Sequence, residues 1–279
     1  MIYLTALGNG VLVLGSHRRA VDLLDKQSAN FSDRPASVIF EMMDIGWNFG
    51  LMRYGTSNPI MYEETKAYLR KVNTHPNDVF EDTQFLPEES DPNYAALETV
   101  ARNVSGLAFF AGVETTGISG VATLWVLASY PEVQAKPQAE IDAVVGSVNE
   151  VGRWYTVAPL GVPHSNTEDD EYDGYFIPNG TIIFQNNWAM MHDPDVFEKP
   201  FKFIPERYIK DGKIDPSVPD TERAAFGHGR RIYPGRNFSN DALFLLVASL
   251  LATYTLTAPK DEKGNVAPMK FEGQNLAVN

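Results

Sequence analysis

The sequence predicts a mainly α-helical chain with small β-sheets, an α+β fold. The strongest indication is the stretch 104–130, which is mostly apolar, long enough for many helical turns and closed by Pro131. Short apolar stretches beside glycine-containing turns, within residues 3–15 and 175–184, are typical of strands. With 279 residues, of which 44% are hydrophobic and 21% charged, the chain is long enough for one sizeable core.

The first 54 residues predict two strands and a helix. Residues 3–15 are typical of a β-hairpin, and the dipeptide Asn9–Gly10 predicts its turn. Residues 18–26 predict the helix, whereas residues 36–54 are apolar with scattered glycines and show no clear period.

The middle of the chain is weakly patterned, and the second half is better defined. Residues 60–76 are compatible with a polar helix, and the acidic stretch 77–97 predicts a linker or loop. From residue 98 onward, the sequence predicts a long helix to residue 130 and a second helix over 131–145. Short strands and turns follow over 155–186, with two strands on either side of a turn at 178–180. The chain then continues with a helix over 186–192, an irregular segment to about residue 225 and a helix over 240–254.

The charge and the cysteine count exclude several classes of function. The net charge of −13 argues against binding to nucleic acid and against attachment to an anionic membrane surface, since both need basic surfaces. Without any cysteine, the chain forms no disulfide, no cysteine-ligated zinc site, no iron–sulfur cluster and no cysteine nucleophile.

The stretch 104–130 is also long enough to span a bilayer. However, Glu114, Thr115 and Thr116 lie near its middle, and a carboxylate at that depth is costly. We therefore expect a fully buried helix of a large helical domain, with a membrane span as the alternative. We expect no secretory signal at the N-terminus.

The most informative segment is the glycine-rich loop that begins at Phe226. It fits the pattern F-x-x-G-x-R-x-C-x-G at Phe226, Gly229, Arg231 and Gly235, and Tyr233 stands at the cysteine position. On its own, the segment is equally typical of a basic surface turn that precedes a helix.

Further motifs lie upstream of this loop. They are an A-G-x-[DE]-T-T match at residues 111–116, an E-x-x-R match at Glu150 and Arg153, a Pro-His pair that ends at His164 and a P-E-R-F-like match at residues 205–208. Taken singly, each motif has an ordinary structural explanation. A threonine within residues 111–116 could bond back to the preceding helical turn, and the E-x-x-R match could be an exposed pair on one helix face. Their joint order and spacing are hard to obtain by chance.

In this order and spacing, the motifs resemble those of the cytochrome P-450 superfamily, and they are similar to the fungal heme-thiolate monooxygenases. The resemblance implies a mainly α fold with small β-sheets, as one shortened and incomplete cytochrome P-450 domain over residues 1–279. Residues 1–54 are similar to the family's first strands and helix, residues 55–97 form a divergent or linker region, and residues 98–279 resemble the heme-binding C-terminal half.

The resemblance implies heme as the cofactor and assigns roles in binding it. Phe226 would lie beside the ring, while Gly229 and Gly235 would let the backbone approach it closely. Arg231 and His164 would donate hydrogen bonds to the heme propionates.

The resemblance also implies residues for catalysis and for the scaffold. In the long helix, Gly112 would leave room for dioxygen, and Glu114 and Thr115 would relay protons. The implied members of a buried scaffold network behind the heme are Glu150, Arg153 and Arg207.

Four departures from the family pattern matter. Tyr233 takes the axial metal position, where a phenolate can bind ferric iron but lacks the electron donation of a thiolate. The family's W-x-x-x-R segment has no counterpart after Tyr54, and the segment 83–97 replaces the helices that roof the substrate pocket. Residues 145–150 join two motifs so directly that we expect almost no helix ahead of Glu150.

These patterns leave several functions open. By family, the chain would be a heme monooxygenase that takes electrons from an NADPH-dependent reductase and oxidises a small apolar substrate with dioxygen. The alternatives are a catalytically dead or mis-spliced remnant with weak or no heme binding, a Tyr-ligated heme protein with peroxide chemistry, and a non-heme membrane or interaction protein. The family implies the endoplasmic reticulum membrane, whereas the lack of an N-terminal anchor favours the cytoplasm. No nucleic-acid partner is expected, and no oligomeric state is indicated.

Overall fold

A computed structural model describes the greater part of the chain. The described residues are 1–54 apart from 44, 46 and 49, then 88–131, 134, 141–219, 222–233 and 235–267. The predicted polar helix over 60–76, most of the acidic stretch 77–97 and most of the predicted helix over 131–145 lie outside the described residues. Within them, the chain forms helices and three small sheets, as the fold class predicts.

The helices account for most of the regular secondary structure among the described residues. They are α1 (His17–Ala20), which continues into a π-helix (Val21–Lys26), α2 (Val38–Met42), α3 (Tyr94–Ser129), α4 (Ile141–Trp154), α5 (Asn187–Met191), α6 (Glu222–Ala225) and α7 (Arg236–Thr253). Two 3-10 helices occupy Pro205–Tyr208 and Gly229–Arg231. The helices predicted over 98–130, 186–192 and 240–254 are confirmed, but α3 begins at Tyr94, within the stretch predicted as a linker or loop, and α7 also begins earlier than predicted.

The strands form one four-stranded sheet and two two-stranded sheets. They are β1 (Ile2–Ala6), β2 (Asn9–Leu14), β3 (His164–Ser165), β4 (Asp170–Tyr172), β5 (Tyr175–Ile177), β6 (Ile182–Gln185), β7 (Ile209–Lys210) and β8 (Lys213–Ile214). The larger sheet has the order β1-β2-β6-β3. The two strands predicted around the 178–180 turn are present as β5 and β6, but they belong to different sheets, because β5 pairs with β4 while β6 pairs with β2 and β3.

The N-terminal hairpin is confirmed, but its turn lies earlier than predicted. Ala6 is paired with Asn9, so Leu7 and Gly8 form the turn rather than Asn9 and Gly10. Leu7 and Gly8 have φ values of 51° and 82°, and two positive φ values give the tight turn whose twist matches a hairpin. The side-chain amide of Asn9 donates to the carbonyl oxygen of Leu7 at 3.3 Å, which supports this turn.

One hydrophobic core lies between the four-stranded sheet and the π-helix. Leu12 and Leu14 alternate along β2 and are 1% and 0% exposed. Leu23 and Leu24 of the π-helix pack against them together with Phe31. Burial of one such side chain contributes about 1.5–3 kcal/mol. This core therefore fixes the π-helix, on which the glycine-rich loop rests.

A second core lies where α3, α4 and α7 meet. It consists of two buried clusters, one with Ala122, Val126, Val151 and Phe203 and the other with Leu127, Val247 and Leu251. At its edge, the Trp125 and Trp154 rings stack with centroids 5.5 Å apart. These contacts hold α4, and with it the E-x-x-R motif, against the long helix.

The expectation that the long helix is fully buried is wrong. Val104 and Ala122 of α3 are buried, whereas a row of apolar side chains stays exposed. The exposed members are Phe109, Phe110, Val113, Ile118, Val121 and Leu124. By length and composition alone, α3 is the one helix within the described ranges that could cross a membrane. Its burial is partial because α4 and α7 pack on one side of it.

The expectation of almost no helix ahead of Glu150 is also wrong. α4 begins at Ile141, so the join at residues 145–150 lies inside a continuous helix. A Cβ at Gly146 would lie 3.0 Å from the side chain of Ile209, which shows how closely the following segment packs on α4. Tertiary packing of this kind stabilises a helix that is marginal in isolation.

Candidate functional site

The loop that begins at Phe226 folds back on itself. The backbone N–H of Tyr233 donates to the carbonyl oxygen of Phe226 at 2.8 Å. Their rings stack with centroids 6.1 Å apart and planes inclined by 13°. A Cβ at Gly235 would lie 2.9 Å from two carbons of the Tyr233 ring, so glycine makes room for that ring. Tyr233 therefore packs inside its own loop.

The protonation of Tyr233 bears directly on metal binding. Burial raises the pKa of its phenol above the ordinary value of 10.0, so the phenol keeps its proton at neutral pH. Iron binds the phenolate form of tyrosine. Ligation by Tyr233 therefore requires both loss of this proton and movement of the ring out of its stack on Phe226.

Gly229 lets the loop lie directly on the π-helix. Its φ is 58°, and a Cβ at this position would overlap the backbone carbonyl of Leu24. The carboxylate of Asp25 accepts a hydrogen bond from the Gly229 N–H and lies 3.1 Å from Nδ1 of the buried His228. The close approach predicted for this glycine is thus an approach to the protein's own backbone.

Arg231 binds two backbone carbonyl groups of the N-terminal segment. Its Nε donates to the carbonyl oxygen of Ser32 at 2.8 Å, and its Nη2 donates to that of Met52 at 2.7 Å. Its guanidinium carbon lies 5.5 Å from the ring centroid of Tyr54. Arg231, which the resemblance assigns to a heme propionate, is thus hydrogen-bonded to the protein's own backbone.

His164 lies in β3 and is 2% exposed. Its Nδ1 is 2.8 Å from the carbonyl oxygen of Phe31, and its Nε2 is 3.4 Å from the side-chain nitrogen of Gln185. Burial, followed by the charge of Arg34, lowers the pKa of His164 to about 3. The ring is therefore neutral throughout the physiological range.

The low pKa of His164 predicts a specific acid sensitivity. The folded state holds this ring neutral, whereas the unfolded chain takes up a proton below its ordinary pKa of 6.5. The resulting stability is complete above pH 6.5 and is lost as pH falls toward 3. Between pH 6.5 and 5, the free energy of unfolding of the native protein should fall by about 2 kcal/mol more than that of the His164→Gln protein. Urea unfolding of both proteins at several pH values measures this, and parallel curves would contradict it.

The predicted scaffold residues meet in one buried network. Arg153 is 0% exposed, and its Nε and Nη2 donate to the two carboxylate oxygens of Glu150 at 2.8 and 2.7 Å. The Nε of Arg207 donates to Glu150 at 3.2 Å, and the N–H of Ile204 donates to the same carboxylate at 2.9 Å. The further acceptors for Arg153 are the carbonyl oxygens of Met191, Pro200 and Lys202. This network ties α4 to the segment after α5.

The predicted catalytic residues lie on the exposed side of α3. Glu114 and Thr115 are exposed, and the Thr115 hydroxyl donates to the carbonyl oxygen of Ala111 at 2.6 Å. This is the bond back to the preceding turn that an ordinary helical threonine makes. A Cβ at Gly112 would meet no atom within 4 Å. The three residues thus share one open stretch of helix.

Two residues that the motifs did not identify complete the site. Arg34 is 5% exposed and donates to the carbonyl oxygens of Gly50, Val162 and Pro163 at 2.8–3.2 Å. Burial lowers the pKa of Arg34 to about 9, which leaves it charged at neutral pH. Asp33 is also buried and accepts from Arg53 at 3.0 Å. The sequence signal for these two residues is weak: they form an Asp-Arg pair just before Pro35, outside every motif.

The fold and the site together define a class of protein. A long central helix, a buried Glu–Arg–Arg network and a glycine-rich loop that precedes the last helix are the parts of a cytochrome P450. The profile of the family Cytochrome P450 matches residues 60–274, and the chain belongs to this family. Heme is the cofactor of the family, and its members are monooxygenases.

Several fungal proteins are similar in sequence. Cytochrome P450 monooxygenase COX1 of Coprinopsis cinerea is 34% identical over 419 residues, a match that covers 98% of this chain and 81% of the relative. COX2 of the same fungus is 43% identical over 69% of this chain, and tryptamine 4-monooxygenase of Psilocybe cyanescens is 36% identical over 63%. The matched part amounts to about two fifths of those two relatives, at 40% and 39%.

The match to COX1 bears on the length of this chain. Its 419 aligned residues exceed the 279 residues present here, so the relative contains internal segments without a counterpart. A zebrafish cytochrome P450 solved with abiraterone has a TM-score of 0.70 at 19% identity, and the match covers 93% of this chain and 89% of that one. The shared architecture is therefore that of a shortened cytochrome P450.

The side chains at the site do not match the donor set of a heme-thiolate centre. The chain contains no cysteine, and the tyrosine at the ligand position is stacked in its loop as a neutral phenol. Arg231 and His164 contact backbone carbonyls of the N-terminal segment. In this arrangement, neither a thiolate nor the two propionate donors that the motifs predict is available to a heme.

Proposed function

We propose that this chain is a cytochrome P450-type scaffold without thiolate-dependent monooxygenase activity. The observation that carries the proposal is Tyr233, which stands at the cysteine position and packs its ring against Phe226. In the family chemistry, thiolate ligation supplies the electron density that favours O–O cleavage. A neutral phenol supplies none.

The parts of the family fold that maintain structure support this proposal. Arg153 and Arg207 both donate hydrogen bonds to the buried carboxylate of Glu150, so the scaffold network is in place. These contacts support a retained scaffold function for the three residues.

A tyrosine-ligated heme protein with peroxide chemistry is the second candidate. Tyr233 is the one residue in the loop that offers a metal-binding oxygen at the right place in the sequence pattern. The raised pKa of its phenol opposes ligation, as does the stack on Phe226. A peroxidase assay of the native protein with added hemin distinguishes this candidate, since the scaffold proposal predicts only the activity of free hemin.

The family activity would also require partners. For this chain, those would be an NADPH-dependent reductase and a small apolar organic substrate, and the family is typically bound to the endoplasmic reticulum membrane. The proposal predicts that such partners do not produce turnover.

The decisive assay is turnover in a reconstituted system. The native protein, purified and supplied with hemin, NADPH, a fungal reductase and a set of small apolar substrates, should give no product. COX1 of Coprinopsis cinerea, treated identically, serves as the active family control. Product that depends on the reductase and on the native protein would overturn the proposal.

A further inference from the structure

We propose that residues 31–34 and 50–54 form an internal strap whose backbone carbonyls hold Arg231 of the loop that begins at Phe226. In this arrangement, hydrogen bonds between Arg231 and the strap carbonyls hold the loop against the N-terminal segment. A ligand with carboxylate groups gains the donors of Arg231 only by displacing the strap. The strap is thus an autoinhibitory contact built into the fold.

The first part of the lock is Arg231. Its two donors at 2.8 and 2.7 Å reach Ser32 in one half of the strap and Met52 in the other. One guanidinium therefore joins both halves of the strap to the loop. Tyr54 adds to this contact, because the guanidinium groups of Arg230 and Arg231 lie 5.4 and 5.5 Å from its ring centroid.

Arg34 and His164 form the second part of the lock. Arg34 donates to Gly50 within the strap and to Val162 and Pro163 on the chain beside β3. The Nδ1 of His164 faces the carbonyl oxygen of Phe31 at 2.8 Å. Arg34, which belongs to the strap, and His164 of β3 therefore hold the strap together and beside β3.

Asp33 closes the strap on itself. One carboxylate oxygen accepts from Arg53 at 3.1 and 3.0 Å, and the other accepts from the backbone N–H of Tyr54. The backbone of Asp33 also exchanges two hydrogen bonds with Ser165, at 3.2 and 2.9 Å. Residues 53–54 are thereby held beside residue 33 and, through it, beside β3.

An incoming carboxylate has to compete with the strap carbonyls for Arg231. Removing Arg231 from the strap would leave the carbonyl groups of the buried Ser32 and of Met52 without these donors, and an unsatisfied buried group is costly. A propionate would have to offset that loss before it contributed any binding. The strap therefore predicts a loop that is ordered without ligand and indifferent to propionate groups.

Hydrogen exchange of the protein without added heme tests the strap directly. The amide of Tyr54 should be protected in the native protein, and Arg231→Lys should speed its exchange at least tenfold, because lysine cannot bridge two carbonyls with a fork. Arg102→Lys, at an exposed position on α3, is the matched control and should leave the exchange unchanged. Exchange at the unfolded-chain rate in the native protein, or equal exchange in native protein and Arg231→Lys, would overturn the proposal.

A porphyrin comparison supplies a second, independent measurement. Tyr233→Cys provides an iron ligand, and it can be titrated with hemin and with the iron porphyrin whose propionates are esterified. The strap predicts equal affinity for the two within about threefold, since the donors stay engaged. Tighter binding of hemin by tenfold or more, abolished in the double variant with Arg231→Ala, would show that the donors serve propionates and would refute the strap. The turnover assay tests only the proposed function, whereas hydrogen exchange and porphyrin binding test only the strap. A failure of one proposal can therefore be told from a failure of the other.

Discussion

Replacing Glu150 by alanine is expected to lower the free energy of unfolding by about 3–5 kcal/mol. Arg153 is completely buried, and Glu150 provides two of its acceptors. Alanine would leave a buried guanidinium without its counter-ion and would also remove the acceptor of the Arg207 and Ile204 donors. A buried charge that loses its partner is far more costly than an exposed one.

Urea unfolding followed by circular dichroism measures this loss. Glu98→Ala is the matched control, because Glu98 pairs with Arg102 on the exposed surface of α3 at 2.9 Å and such pairs contribute about 0.5 kcal/mol. A Glu150→Ala protein as stable as the Glu98→Ala protein would show that the buried network contributes little to folding.

Replacing Gly229 by alanine is expected to cost about 2–4 kcal/mol. Two effects add at this position. The φ of 58° is unfavourable for any residue with a Cβ, and that Cβ would overlap the carbonyl of Leu24 in the π-helix. The loop would then have to move away from the π-helix and lose the contact with Asp25.

Gly174 offers a control that separates the two effects. Its φ is 76°, but a Cβ there would meet no atom within 4 Å. Gly174→Ala should therefore cost only the backbone strain, about 1 kcal/mol. Thermal unfolding of both variants gives the difference, which is the cost of the clash. Equal losses in the two variants would mean that the loop does not lie on the π-helix as described.

Local patterns predicted the elements of the fold well, whereas tertiary contacts decided their limits and burial. The residues predict the hairpin, but its turn lies at Leu7–Gly8, where the two positive φ values occur, and not at Asn9–Gly10. The helix ahead of Glu150 looked too short on local grounds and is continuous, because α4 packs on the Pro205–Tyr208 segment and on α7. The partial burial of α3 depends on which elements cover it, and periodicity carries no such information.

The sequence predicts which scaffold residues come together better than it predicts which atoms the basic side chains contact. Spacing and resemblance placed Glu150, Arg153 and Arg207 together, and the structure brings them together. Arg231 and His164 were assigned to heme propionates, and their contacts are instead with carbonyls of residues 31–52. A backbone carbonyl is present in every residue, so the sequence cannot reveal which ones a buried arginine will bind.

The central claim is that the chain keeps the cytochrome P450 scaffold around the loop that begins at Phe226 and lacks the thiolate ligand at position 233. The ferrous carbon monoxide spectrum of hemin-treated protein, native and Tyr233→Cys, tests it most directly. We expect no thiolate-type band from the native protein and a clear one from the Tyr233→Cys variant. A folded Tyr233→Cys protein that takes up hemin but shows no thiolate-type band would contradict the claim, since the loop would then no longer present residue 233 to the iron.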